Sequence, residues 1–125
     1  MDYRTNRKRA AGLGSAKDGV EHYWQMKVTS YALVFLTPLF IFTFGRLLGA
    51  EHAQVVAAFG NPFNAVVAIL MIGVSFYHLK LGLQVVIEDY VHGSARMPSL
   101  LANTFFCYAL GAAGIFAVAK IAFGV

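Results

Sequence analysis

A histidine and a carboxylate lie eleven residues apart in a segment that is otherwise mostly apolar: residues 78–93 read HLKLGLQVVIEDYVHG. In an α-helix, eleven residues turn through about 1100°, within about 20° of three full turns. His78 and Asp89 therefore share one face and lie about 16 Å apart along the axis. Gly82 and Val85 lie on the same stripe. Because an ionisable residue inside a membrane helix is costly, this stripe is the first candidate for a functional site.

The stripe suits metal ligation, and each of its polar residues also has a structural interpretation. A glycine one turn after a histidine leaves a flat space beside the imidazole, which suits a porphyrin plane, so His78 is a candidate heme ligand. A lone histidine in such a helix also commonly forms a hydrogen bond to a neighbouring helix, and this alternative stays open. Asp89 and Glu88 can be solvated charges at a helix end, and Tyr90 can be an aromatic residue of the membrane interface.

The other polar residues of the sequence do not indicate a catalytic site. Lys80 points away from the stripe, and its long stem can snorkel or meet an acidic partner. Three histidines are interpreted as solvated: His52 and His92 in loops, and His22 before the first apolar run. The sequence contains no CxxC, HExxH, phosphate loop or nucleophile–base pair, which excludes the usual hydrolytic and nucleotide chemistries. Cys107 is the only cysteine and can form no internal disulfide.

Three apolar runs position these residues. The chain is 58% apolar and 13% charged, about half the charged fraction of soluble domains. Residues 28–45 and 97–119 contain no charged side chain, and residues 63–87 are interrupted only by His78 and Lys80. About 20 apolar helical residues cross a hydrocarbon core about 30 Å thick. The sequence therefore predicts an all-α membrane protein, one domain over 1–125, with spans at about 27–49, 62–91 and 98–123.

Local signals refine the helices. Asn61 as N-cap and Pro62 at the first helical position predict the start of the second span. Gly111 and Gly114 leave room for a close contact in the third span.

The distribution of basic residues predicts the orientation. Seven lie in the N-terminal segment or in the loop after the second span, whereas two lie on the opposite side. The positive-inside rule then places residues 1–24 in the cytoplasm, or in the matrix of a mitochondrion, and Val125 on the periplasmic side. Anionic lipid headgroups account for the net charge of +4 without a nucleic-acid partner. The seven are Arg4, Arg7, Lys8, Arg9, Lys17, Lys27 and Arg96, and the two are Arg46 and Lys120.

The pattern in the second span resembles a known family, the smaller membrane-anchor subunit of succinate dehydrogenase, from about Gly19 to the end of the chain. In that family a histidine eleven residues before an Asp-Tyr pair, on the second of three helices, ligates heme b. The matching residues are His78, Gly82, Gln84-Val85-Val86 and Asp89-Tyr90-Val91-His92-Gly93.

The resemblance implies a role for four residues. His78 would supply one axial ligand of the heme b iron, with the other ligand on the larger anchor subunit. Tyr90 would donate a hydrogen bond to ubiquinone, the substrate, and Asp89 would orient that pocket or relay protons. Lys27 is a weaker match to an arginine that faces a heme propionate in bacterial relatives. A lysine pairs with a carboxylate but lacks the bidentate fork of arginine.

The resemblance also implies the function and the partners. The chain would be a non-flavin subunit of a succinate–ubiquinone oxidoreductase (complex II), passing electrons from the tricarboxylic acid cycle to the respiratory chain, with no catalysis by the isolated chain. Its partners would be a larger cytochrome b-type anchor, an iron–sulfur subunit and a flavoprotein, in the bacterial inner membrane or, alternatively, the mitochondrial one. A fumarate reductase or another b-heme quinone oxidoreductase anchor stays open. So does a membrane scaffold or transporter subunit without a redox centre.

Overall fold

The structure is a computed structural model that describes residues 3–12 and 18–125. These residues form five α-helices and two 3-10 turns, at Gly45–Leu47 and Gly93–Ala95, and no strand. Three of the helices, α2, α4 and α5, are long and apolar enough to cross a membrane, so the predicted all-α, three-span architecture is confirmed for this part of the chain. The helices are α1 (Asn6–Ala11), α2 (Asp18–Phe44), α3 (His52–Phe59), α4 (Pro62–Tyr90) and α5 (Arg96–Phe123).

The first long helix is shifted from its predicted bounds of 27–49. It begins at Asp18 because helical hydrogen bonding continues through polar residues that hydropathy places outside the hydrocarbon. It ends at Phe44, and Gly49 then takes a left-handed conformation with φ of 77°. The segment predicted as a tail, 1–24, thus contains α1 and the start of α2, while residues 13–17 lie outside the described part.

The second and third long helices lie close to their predicted positions. Asn61 caps α4 by accepting a hydrogen bond from the Phe63 amide at 3.0 Å, and Pro62 is its first residue, as predicted. The helix ends at Tyr90, and Val91 is extended. Helix α5 begins at Arg96, two residues before the predicted start at 98, because Pro98 is tolerated inside a first turn whose N–H groups need no intrahelical partner.

Helix α3 is absent from the predicted elements, and His52, predicted in a loop, is its first residue. Glu51 caps this helix, and its amide donates to the Gln54 side chain at 3.2 Å. Glutamate is not a preferred N-cap, so the sequence carried little signal for it. The Asn64 amide nitrogen donates to the Ala58 carbonyl at 2.9 Å and ties α3 to the start of α4.

Helix α4 lies between α2 and α5 and packs against both. The contact with α5 is close at Gly111 and Gly114, as predicted. A Cβ on Gly111 would lie 3.3 Å from Phe76 Cβ, and one on Gly114 would lie 3.0 Å from Ile72 Cγ2. The predicted close packing of the third span is therefore confirmed. Helix α4 is the central element, and residues on its other sides remain open to lipid or to other proteins.

A buried polar contact holds α5 to the middle of α4. The Asn103 amide nitrogen donates to the Lys80 carbonyl at 3.0 Å, and its oxygen lies 3.4 Å from the Cys107 thiol, which donates to it. Asn103 and Cys107 are both buried. Because no water reaches such groups in hydrocarbon, the pairing favours one register of the two helices. This register fixes the part of α4 that carries His78.

Gly111→Val is expected to destabilise the helix pair by about 1–3 kcal/mol, the usual penalty of overpacking. Phe76 Cβ is attached directly to the backbone of α4, so it cannot rotate away and the helices must separate. The measurement is thermal unfolding of the assembled membrane protein in detergent. Ala112→Val is the matched control, because Ala112 is the next residue and is exposed. Equal unfolding temperatures for the two variants would contradict the close contact.

Candidate functional site

His78 lies half-buried on α4, where this helix crosses α2. Its Nδ1 atom lies 2.8 Å from the Oγ1 atom of Thr29 on α2. Thr29 is buried, with 8% of its surface exposed. The structural alternative for His78, a hydrogen bond to a neighbouring helix, is thus present, but it uses only one of the two ring nitrogens. Thr29 is not among the predicted site residues.

The second ring nitrogen of His78 is open. Nε2 has no hydrogen-bond partner among the described residues, and it is not enclosed by the chain. A groove of about 500 Å³ adjoins the ring, between α4 and the middle of α2. Both properties are needed for a histidine that binds a group from outside its own chain. The groove is lined by His78 and by Ser30, Leu33, Val34, Thr37 and Pro38 of α2.

The rest of the predicted stripe also lies open. A Cβ built on Gly82 would meet no atom within 4 Å. Val85 and Asp89 are exposed. Helix α4 is continuous from His78 to Asp89, so the stripe is a real helix face. Because neither α2 nor α5 covers it, a flat ligand or a partner subunit can approach along this face.

Lys27 lies on the same side of α2 as the His78 groove. It lines a groove of about 290 Å³ that shares Ser30 and Val34 with the groove beside His78. Its side chain is exposed, and its Nζ lies 5.5 Å from the ring centroid of Tyr23. The structure therefore brings a cation next to the groove beside His78.

Tyr90 and Asp89 form the last turn of α4. Tyr90 is 80% exposed, and neither side chain has a hydrogen-bond partner among the described residues. Glu88, by contrast, accepts a hydrogen bond from the Gln84 amide at 3.0 Å. Twelve residues turn the helix by about 1200°, so Tyr90 lies about 120° around the helix from His78. The phenol and the free carboxylate are thus both available to a ligand at this end.

Two other histidines lie apart from this face. His22, predicted to be solvated, lies on α2 and is half-buried, and its Nε2 is buried without a hydrogen-bond partner. His22 is not solvated as predicted, because α2 already starts at Asp18 and His22 lines a polar cleft together with Lys80 and Gln84. His92 is exposed between α4 and α5, as predicted. Residues 3–12 and 18–125 contain no group of three or more His, Cys, Asp or Glu side chains that could hold a metal ion.

A family model and individual relatives all point to the same kind of membrane subunit. The model of the succinate dehydrogenase/fumarate reductase transmembrane subunit matches residues 1–119. A succinate dehydrogenase hydrophobic membrane anchor subunit of Paracoccus denitrificans is 39% identical over 99% of this chain and 96% of its own length. The protein of the same name from Rickettsia conorii is 30% identical, covering 85% of this chain and 86% of its own. No solved structure matches significantly.

Proposed function

The chain belongs to the family of succinate dehydrogenase/fumarate reductase transmembrane subunits, and from this premise we propose a specific role for it. It anchors a succinate–ubiquinone oxidoreductase in the bacterial inner membrane, supplies one axial ligand of a b-type heme and forms part of the ubiquinone site. The observation that carries the proposal is the environment of His78: Thr29 holds Nδ1, Nε2 has no partner among the described residues, and a groove adjoins the ring. The names of the relatives favour succinate oxidation over fumarate reduction as the direction.

The proposal orients the chain with its N-terminus in the cytoplasm and Val125 in the periplasm. The basic residues of the N-terminal segment and Arg96 support this orientation, because cytoplasmic loops carry an excess of Lys and Arg. Tyr90 then lies at the cytoplasmic surface, and His78 lies about 18 Å deeper along the helix. The flavoprotein and iron–sulfur subunits, which supply the electrons, would dock on this cytoplasmic side.

The residues around His78 suit a heme. Nε2 of His78 would hold the heme iron, and the open space beside Gly82 would accept a flat group. Lys27 lines the groove next to the one beside His78, and it would pair with a heme propionate. When bound, a b-type heme supplies a one-electron redox centre at this depth. The second axial ligand would come from the larger cytochrome b-type anchor subunit, because His52 and His92 are exposed outside the helix interiors and His22 lies in a separate cleft.

The end of α4 suits the quinone. Reduction of ubiquinone consumes two electrons and two protons, so its site needs access to water. Tyr90 offers a phenolic hydrogen to a carbonyl oxygen of the quinone, and Asp89 offers a carboxylate that exchanges protons with the cytoplasm. Glu88 is less suited, because its carboxylate already accepts from Gln84. The open positions of Tyr90 and Asp89 are consistent with a pocket completed by the other subunits.

A dithionite-reduced minus oxidised spectrum tests this function. The purified complex is expected to show the α-band of a b-type heme. The chain purified alone is not expected to hold stoichiometric six-coordinate heme as a monomer, since it offers one axial histidine. A complex without the α-band would favour a scaffold role without a redox centre. A six-coordinate heme on the monomeric chain would contradict the shared ligation.

A further inference from the structure

We propose that Thr29 is a positioning residue for the heme ligand: its hydroxyl accepts a hydrogen bond from Nδ1–H of His78 and so presents Nε2 as the metal-binding nitrogen. This inference rests on the proposed function, in which His78 ligates heme. Its basis is the 2.8 Å contact between Thr29 Oγ1 and His78 Nδ1, which joins α2 to α4.

A count of protons gives the direction of this hydrogen bond. Thr29 Oγ1 lies 2.8 Å from the Gln25 carbonyl and 3.1 Å from the Met26 carbonyl, and both carbonyls only accept. The hydroxyl has one hydrogen and two lone pairs. If its hydrogen goes to a carbonyl, Nδ1–H can donate to a lone pair, and two hydrogen bonds form. If the hydrogen goes to Nδ1 instead, only one forms. The first arrangement is favoured because it forms one more hydrogen bond between the same groups.

This arrangement selects the tautomer that a metal requires. A neutral imidazole carries its hydrogen on one nitrogen only, so a protonated Nδ1 leaves the Nε2 lone pair free. Nε2 is also the nitrogen without a partner among the described residues, and the ring that carries it adjoins the groove of about 500 Å³. A hydrogen bond to the non-ligating nitrogen fixes the ring orientation and raises the basicity of the ligating one. Thr29 would therefore tune the ligand before any heme binds.

The position of Thr29 makes the contact rigid. Its side chain is buried, and its backbone belongs to the continuous helix α2. The contact also couples the two helices, because a shift of α2 along α4 would remove the acceptor from the imidazole. If Thr29 only filled space, a side chain of the same shape without the hydroxyl would serve as well. Removing the hydroxyl alone therefore tests the proposal.

The test uses Thr29→Val in the assembled complex, since valine keeps the shape and removes the hydroxyl. We expect complete assembly, heme that dissociates about 10-fold faster or more, and an altered low-spin EPR signal, since the loss of such a partner typically costs 10–100-fold in metal affinity. The heme midpoint potential should rise, because a less basic ligand stabilises the ferric state less. A tenfold change in the ratio of ferric to ferrous affinity corresponds to about 59 mV.

Two further variants and a control isolate the hydroxyl. Thr29→Ser should restore the wild-type potential and EPR signal, and Thr29→Ala should repeat the effect of valine. Thr43→Val is the matched control, because Thr43 is also buried on α2 but its hydroxyl donates only to the Leu39 carbonyl of its own helix, at 2.7 Å. Its heme properties should stay as in the wild type.

The outcomes separate this proposal from the proposed function. A wild-type potential, EPR signal and heme retention in Thr29→Val, together with heme loss in His78→Ala, would overturn the role of Thr29 and keep His78 as ligand. An unchanged bis-histidine spectrum in His78→Ala would overturn the ligand assignment itself. Failure of both Thr29→Val and Thr29→Ala to assemble would also count against the proposal, because a positioning residue leaves the fold intact.

Discussion

The complex carrying His78→Ala is expected to lose most of its b-type heme, or to hold it with an altered spectrum. The substitution removes the imidazole that adjoins the groove, and under the proposed function it would leave only the ligand on the other anchor subunit. Loss of a direct ligand should exceed the 10–100-fold in affinity that loss of an outer partner typically costs. Turnover with quinone should fall only in part, because Tyr90 and Asp89 stay in place at the end of α4.

The measurement is heme per complex, by pyridine hemochrome assay, together with the reduced minus oxidised spectrum. His92→Ala is the control, because His92 is exposed between α4 and α5 and should leave both unchanged. Wild-type heme content with an unchanged bis-histidine spectrum in His78→Ala would rule out His78 as a ligand. In that case the bond to Thr29 would be its whole role.

The sequence predicts the long helices because their signals are local. Apolar runs locate α2, α4 and α5, and Asn61 with Pro62 marks the first turn of α4. Helix α3 escapes prediction, since hydropathy measures the membrane boundary and not the hydrogen bonding of the helix. The same limit explains His22: once α2 is extended to Asp18, this histidine belongs to a helix and faces α4.

The candidate site likewise contains residues that the sequence predicts and one that only the packed structure reveals. The shared face of His78, Gly82 and Asp89 follows from helical periodicity alone, so one sequence is enough to place it. Thr29 lies 49 residues from His78, and its facing position depends on the packing of α2 on α4. Threonines are common in membrane helices, and this chain has several, so no local signal distinguishes Thr29 from Thr43. The hydrogen-bond partner of His78 is therefore visible only in the packed structure.

Tyr90→Phe is expected to impair quinone reduction about a hundredfold while leaving assembly and heme content intact. The substitution removes one hydroxyl and no aromatic area. A phenol that donates to the quinone carbonyl should bind more strongly as negative charge builds on that oxygen. Loss of one donor to developing charge costs about 3 kcal/mol in comparable oxyanion sites, which corresponds to that factor in rate. Asp89→Asn should also slow turnover, but less, because water can replace it as a proton source.

The competing interpretation makes the opposite prediction, because an interface tyrosine packs through its ring and a phenylalanine at the headgroup level would serve as well. The measurement is succinate-dependent ubiquinone reduction in membranes, divided by succinate oxidation with an artificial acceptor that bypasses the quinone site. Tyr23→Phe is the matched control, since Tyr23 is an exposed aromatic on α2 that would also lie near the cytoplasmic surface in the proposed orientation. A wild-type ratio in Tyr90→Phe would make Tyr90 an interface residue like Tyr23. A loss confined to Tyr90→Phe would assign its hydroxyl to the quinone.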